Sequence, residues 1–123
     1  MIRIPFLEPA VPASCAGLEL LATAVLLLAR DGRVQWANPS AENLFELSRK
    51  KLVRQRPAQL FGACPALEAA VAKAVATGAS YTEQEIELGA GGKPRLHLSC
   101  TATPFDDGEG GVLLEFRHID QQL

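Results

Sequence analysis

The tightest constraint on this chain is local. Two apolar runs, Ala24-Val-Leu-Leu-Leu-Ala-Arg30 and Arg33-Val-Gln-Trp-Ala37, are separated only by Asp31-Gly32. Asp-Gly between two strand-like runs predicts a β-hairpin with a two-residue type I′ turn, because glycine tolerates the positive φ that turn demands. Asn38-Pro39 follows at once. The asparagine side chain can cap free backbone N–H groups, and proline at the first helical position gives up no needed donor, so a helix is expected there. Ala41, Leu44, Phe45 and Ser48 share one face of it, and Leu44 and Phe45 are assigned to the core.

Around this hairpin and helix the periodicity supplies the rest. Residues 1–13 are rich in proline and read as an extended arm. From Ser14, Leu18, Leu21, Ala22 and Val25 recur at helical spacing, giving an N-terminal amphipathic helix that ends near Thr23. Pro57 to Phe61 fits one helical turn. A longer helix is expected from Pro65 to Thr77, with Leu67, Ala70, Val71, Ala74 and Val75 on one stripe and Gly78 as its stop. Thereafter the period becomes two. Ile86 and Leu88 alternate with Glu83, Glu85 and Glu87, then Leu96, Leu98, Cys100 and Ala102 line an inner face, and Val112 to Phe116 forms the last strand, with Leu114 inside. The glycine-rich stretches at Gly89–Gly92 and Asp106–Gly111 separate these strands. The order gives an α+β fold: a five-stranded antiparallel sheet with helices on one face.

A single domain accommodates all 123 residues. The formal net charge of -2 argues against a nucleic-acid partner, which calls for a clustered basic excess. The longest apolar run, Leu20 to Ala29, is well short of the roughly 20 residues of a membrane span. Three scattered cysteines, Cys15, Cys64 and Cys100, make neither a disulfide framework nor a zinc site and suit a reducing cytoplasm. The cluster Arg49, Lys50, Lys51, Arg54 and Arg56 reads as a solvated helix face, with an anionic nucleic-acid or lipid surface as its alternative. Nucleophile, base and metal-ligand spacings are lacking. His97 and Cys100 are an odd number of strand positions apart and point to opposite faces. No catalytic, cofactor or metal residue is assigned.

The strings Ala24-Val-Leu-Leu-Leu, Asp31-Gly32, Val34-Gln-Trp-Ala-Asn38-Pro39-Ser-Ala41 and Leu44-Phe45 together resemble a PAS domain over about residues 14–120. Ser48-Arg-Lys-Lys-Leu52, Gly78-Ala-Ser-Tyr-Thr-Glu-Gln-Glu-Ile86 and Val112-Leu-Leu-Glu-Phe-Arg-His-Ile-Asp120 are similar to the N-terminal PAS domain of nitrogen-regulation sensor histidine kinases of the NtrB type. His118 and Asp120 stand where many kinase PAS domains carry Asp and Thr.

This resemblance implies a sheet order 2-1-5-4-3 and a cytoplasmic regulatory module that is not itself an enzyme. Residues 121–123 would begin the linker to a kinase core. It also implies a homodimer and, through the full-length kinase, a response regulator and the PII signalling protein. A haem-binding relative would need an axial ligand on the Pro65–Thr77 helix, which holds no His, Cys or Met. The flavin-adduct string Asn-Cys-Arg-Phe-Leu does not occur either, so no cofactor is expected. Asp106-Asp-Gly-Glu-Gly110 looks like a kinase nucleotide box but reads better as a hairpin loop.

The expected dimer interface is Leu18, Leu21, Ala22, Val25 and Leu27. Because Ala24–Ala29 is apolar at every position, half of that strand would meet water on a sheet covered on one face only. Two alternatives are a PAS sensor of a small ligand or flavin and a small hot-dog-like α+β enzyme, the latter requiring one long central helix.

Overall fold

Nine elements are built from residues 23–89, 95–106 and 110–119, which the computed structural model describes. The first strand, β1 (Ala24–Ala29), pairs antiparallel with β2 (Val34–Ala37). Helices α1 (Pro39–Phe45), α2 (Arg49–Leu52), α3 (Pro57–Phe61) and α4 (Pro65–Thr77) follow, and then β3 (Tyr81–Leu88), β4 (Leu96–Phe105) and β5 (Gly111–His118). The sheet runs β2-β1-β5-β4-β3, with every pairing antiparallel. This is the expected order, and its four separate helices exclude a hot-dog arrangement around one long helix. The expected arm, the N-terminal amphipathic helix with Leu18, Leu21 and Ala22, the centres of both glycine-rich loops and the 121–123 linker lie outside the described residues.

The β1–β2 turn differs from the two-residue form. The Gly32 N–H donates to the Ala29 carbonyl and the Ala29 N–H donates to the Arg33 carbonyl, both at 2.8 Å. Three residues, Arg30 to Gly32, therefore form the loop. Only Gly32 has a positive φ, at 89°, which fits a type I turn closed by a glycine bulge. Asp31 favours this form by accepting the Arg33 N–H on its own side chain at 3.0 Å. A second irregularity between Leu27 and Leu28 turns Val34 and Ala37 to the helical side and leaves Trp36 on the other.

A bulge also corrects the face of Glu83. The pairing advances from Glu83–Cys100 to Ile86–Leu98, so β3 spends one extra residue. Past the bulge, Ile86 and Leu88 point inward and Glu87 outward, as the alternation predicts. Before it, Glu83 lies opposite inward-facing Cys100 and is half-buried, with the Tyr81 hydroxyl 3.4 Å from its carboxylate.

Leu26, Leu28, Leu98, Cys100, Ala102, Val112, Leu114 and Phe116 of the sheet meet the buried faces of all four helices in one core. Phe45, Leu67, Ile86, Leu98 and Leu114 are buried there, whereas Leu44 and Val71 pack half-buried at its margin. Helix α4 seats only Leu67, Ala70 and Ala74 fully. The contact stripe is therefore narrower than the sequence pattern, and Val75 is left 61 % exposed.

Candidate functional site

Asn38 ties the hairpin to the first helix. Its Oδ1 accepts the N–H of Ala41, the expected helix cap, and also the N–H of Val25, each at 2.9 Å. Its Nδ2 donates to the Thr23 carbonyl at 2.9 Å, and its backbone N–H donates to the Val25 carbonyl. This side chain is fully buried, so each partner replaces a water it has lost. The strand β1 is thus held at its start by the residue that also opens α1.

That strand also carries a second apolar cluster, apart from the main core. Val25 and Leu27 lie on the face of the sheet opposite the four helices, where they form a separate apolar cluster with Trp36, flanked by Leu113 and Phe105. The sequence placed Val25 and Leu27 in this strip and missed the other three. Alternation alone would have found Leu113, but the turn of Trp36 depends on the β1–β2 bulge. Contrary to the expectation that this side of β1 meets water, Val25 and Leu27 are fully buried and Trp36 is 2 % exposed.

Between sheet and helices, where a PAS-type ligand would be sought, aromatic rings fill the space. Phe45 stacks at a tilt on Phe61 with centroids 4.8 Å apart and meets Phe116 edge-on at 5.3 Å. Cys64 stands as the N-cap of α4, and Cys100 lies in the core. Burial pushes the Cys100 thiol up to about 12, with the carboxylates of Glu115 and Glu83 adding to the shift. Burial, with Glu68 nearby, also raises Cys64. Both thiols are held in the neutral form, which is the opposite of what a nucleophile needs. His97 is exposed and approaches Glu87 at 3.4 Å, on the other face from Cys100 as expected. A hollow of about 400 Å³ opens at the end of α4, between Val71, Val75, Leu28 and Phe105.

A β2-β1-β5-β4-β3 sheet with its helices on one face is the architecture of a small sensory module, and residues 18–122 match the PAS fold family. The chain belongs to that family. It is 33% identical over 106 residues to the sensory histidine kinase/phosphatase NtrB of Vibrio alginolyticus, an alignment covering 85% of this chain and 30% of that protein. The crystal structure of the PAS domain of nitrogen regulation protein NR(II) from Vibrio parahaemolyticus superposes with a TM-score of 0.75 at 28% identity, covering 89% of this chain and 100% of that one. A PAS domain from Colwellia psychrerythraea reaches a TM-score of 0.74 at 17% identity, over 89% of this chain and 96% of that one, a likeness of fold alone. The chain is thus a PAS domain homologous to that of the NtrB sensor kinase, and it spans under a third of that relative's length.

Proposed function

We propose that this PAS domain is the dimerising regulatory module of a cytoplasmic two-component histidine kinase of nitrogen regulation. The observation that carries this reading is the apolar cluster of Val25, Leu27 and Trp36 on the face of the sheet opposite the four described helices. A sheet face this apolar belongs under a cover. The amphipathic pattern of Leu18, Leu21 and Ala22 lies immediately upstream in sequence and supplies a matching stripe. In the proposed assembly residues 14–22 cross this face and meet their copy in a second protomer, giving a two-fold symmetric contact. No catalytic step is assigned to the domain. In the full-length protein a kinase core would autophosphorylate a histidine and pass the phosphoryl group to a response regulator, under the control of a PII signalling protein.

Sedimentation equilibrium at micromolar concentration tests the dimer. A species of twice 13.2 kDa that dissociates on Leu18→Glu with Leu21→Glu supports it. A monomer, or a dimer indifferent to those changes, defeats it. Phosphate transfer from ATP to the full-length protein, lost when the histidine of a His-Glu-x-x-Asn-Pro box is replaced, tests the kinase assignment.

A second reading rests on the hollow beside Val75, whose exposed side chain and apolar neighbours Leu28 and Val71 suit a small apolar ligand. Native mass spectrometry of the purified chain would reveal an added mass if this were the sensing site, and an absorbance scan would reveal a flavin.

A further inference from the structure

The edge of the sheet at β2 is where the basic residues gather. A hollow of about 410 Å³ there is lined by Arg33, Arg49 and Arg54, with Asp31 and Trp36 beside them. Lys50, Lys51 and Arg56, their neighbours in sequence, are exposed. The sequence grouped five of these six cations, and the hairpin adds Arg33.

Arg54 holds an unusual position. Its φ is 76°, in the left-handed region that disfavours a side chain, and no glycine takes its place. The backbone is fixed there from both sides: the Arg54 N–H donates to the Val34 carbonyl at 2.7 Å, and the Val34 N–H donates to the Gln55 carbonyl at 2.9 Å. Residues 54 and 55 thereby cover part of the outer edge of β2. The Arg54 carbonyl also accepts from Nη1 of Arg33 at 3.0 Å, joining the two arginines. Its own guanidinium, by contrast, has no carboxylate partner among the described residues. The pairing with β2 thus holds an arginine that lacks a carboxylate partner at this edge, in a conformation that only that pairing sustains.

The local charge balance points the same way. Asp31 is already engaged by Arg33, at 3.7 Å. Glu42, the nearest acid of α1, uses its carboxylate to accept the backbone N–H of Arg49 at 2.6 Å, at the start of α2. Arg33, Arg49 and Arg54 thus line the hollow with Asp31 as its one acidic lining residue, in a chain whose net charge is -2. Guanidinium groups match carboxylates in paired geometry. Trp36 is buried with Arg49 6.0 Å above its ring, so it offers no face on which a nucleobase could stack. The one large apolar side chain exposed among the described residues, Val75, lies on α4 outside the hollow, so nothing apolar accompanies the basic groups into a bilayer.

We propose that the arginine-lined hollow beside β2 is a docking site for an acidic segment of a partner protein, with Arg54 as its anchor. The probe is fluorescein-labelled hexaglutamate, titrated with the purified chain at low salt and followed by anisotropy. Saturable binding is expected, weakening as salt is added. Arg54→Gly should weaken it about fivefold while leaving the melting midpoint unchanged or raised, since glycine suits that φ. Arg33→Ala should act in the same direction, and Lys73→Ala, on α4, should leave binding unaltered. Absence of saturable binding overturns the proposal. So does binding indifferent to Arg54→Gly, or tighter binding to a short DNA duplex or to phosphatidylglycerol vesicles than to the peptide.

Discussion

The side-chain oxygen of Asn38 accepts the backbone N–H of Val25, 13 residues earlier in the chain, at 2.9 Å. The same atom caps α1, so one buried side chain fixes both the start of β1 and the start of the first helix. Asn38→Ala would remove the cap and strand a buried donor on β1. The expected loss is about 3 kcal/mol, combining about 1 kcal/mol for a cap with about 2 kcal/mol for an unsatisfied buried group. Urea denaturation should show a lowered midpoint with an unchanged slope. A midpoint within error of the parent would mean that the Val25 N–H finds another acceptor.

Phe45 is the hinge of the aromatic core, touching both Phe61 and Phe116. Phe45→Ala should cost about 3–5 kcal/mol, and Phe45→Leu, which keeps most of the volume, about 1.5 kcal/mol or less. Leu44 precedes it on the same helix but is only half-buried, so Leu44→Ala should fall below the range of about 2–5 kcal/mol for a fully buried leucine. Equal losses at 44 and 45 would contradict the helix register.

Much of this architecture is legible in the sequence because its signals are local. Asp31-Gly32, Asn38-Pro39 and the stop at Gly78 each act within a few residues, and α4 spans the predicted Pro65–Thr77. What escaped depends on distant partners. The Asn38 cap is readable from Pro39, but its bond to Val25 exists only once the hairpin has folded back. The inward turn of Glu83 follows from an extra residue in β3 that no composition signal marks. Five residues of α4 fit a stripe, yet only Leu67, Ala70 and Ala74 are buried, because which of them meet the sheet depends on how the helix is seated on it. Arg54 adopts a glycine-like φ without being glycine, and only the pairing with Val34 accounts for it.

Gly111 opens β5 where β1 and the Phe105 ring leave no room for a side chain. A Cβ there would stand 2.6 Å from the Leu28 carbonyl oxygen and 2.7 Å from the Phe105 ring, at a φ of 154°. Gly32 also has a positive φ, but open space surrounds it. Gly32→Ala should therefore cost only the backbone strain, about 1–2 kcal/mol. Gly111→Ala must in addition move a backbone carbonyl, and its loss should be several times larger. Thermal melts of the two variants compare them directly, and a Gly111→Ala midpoint at or above that of Gly32→Ala would refute this account of the β1–β5 contact.

Cys100 makes stability fall at high pH. Its thiol ordinarily titrates near 9.0, and in the folded chain burial raises it to about 12, helped by Glu115 and Glu83. Above pH 9 the unfolded chain releases this proton while the folded chain retains it, so the unfolded state binds fewer protons and the free energy of unfolding decreases. The contribution is fully present below pH 9 and is lost progressively toward pH 12, with a slope of about 1.4 kcal/mol per pH unit from this one group. The measurement is a difference that isolates this one group: urea unfolding of the parent and of Cys100→Ala at a series of pH values from 8 upward. The parent should lose stability more steeply than the variant, and the gap between their curves should close or invert as pH rises. Parallel curves would show that the folded thiol ionises as readily as the unfolded one. Alkylation gives an independent check, since iodoacetamide should modify Cys100 at neutral pH only as fast as the domain opens.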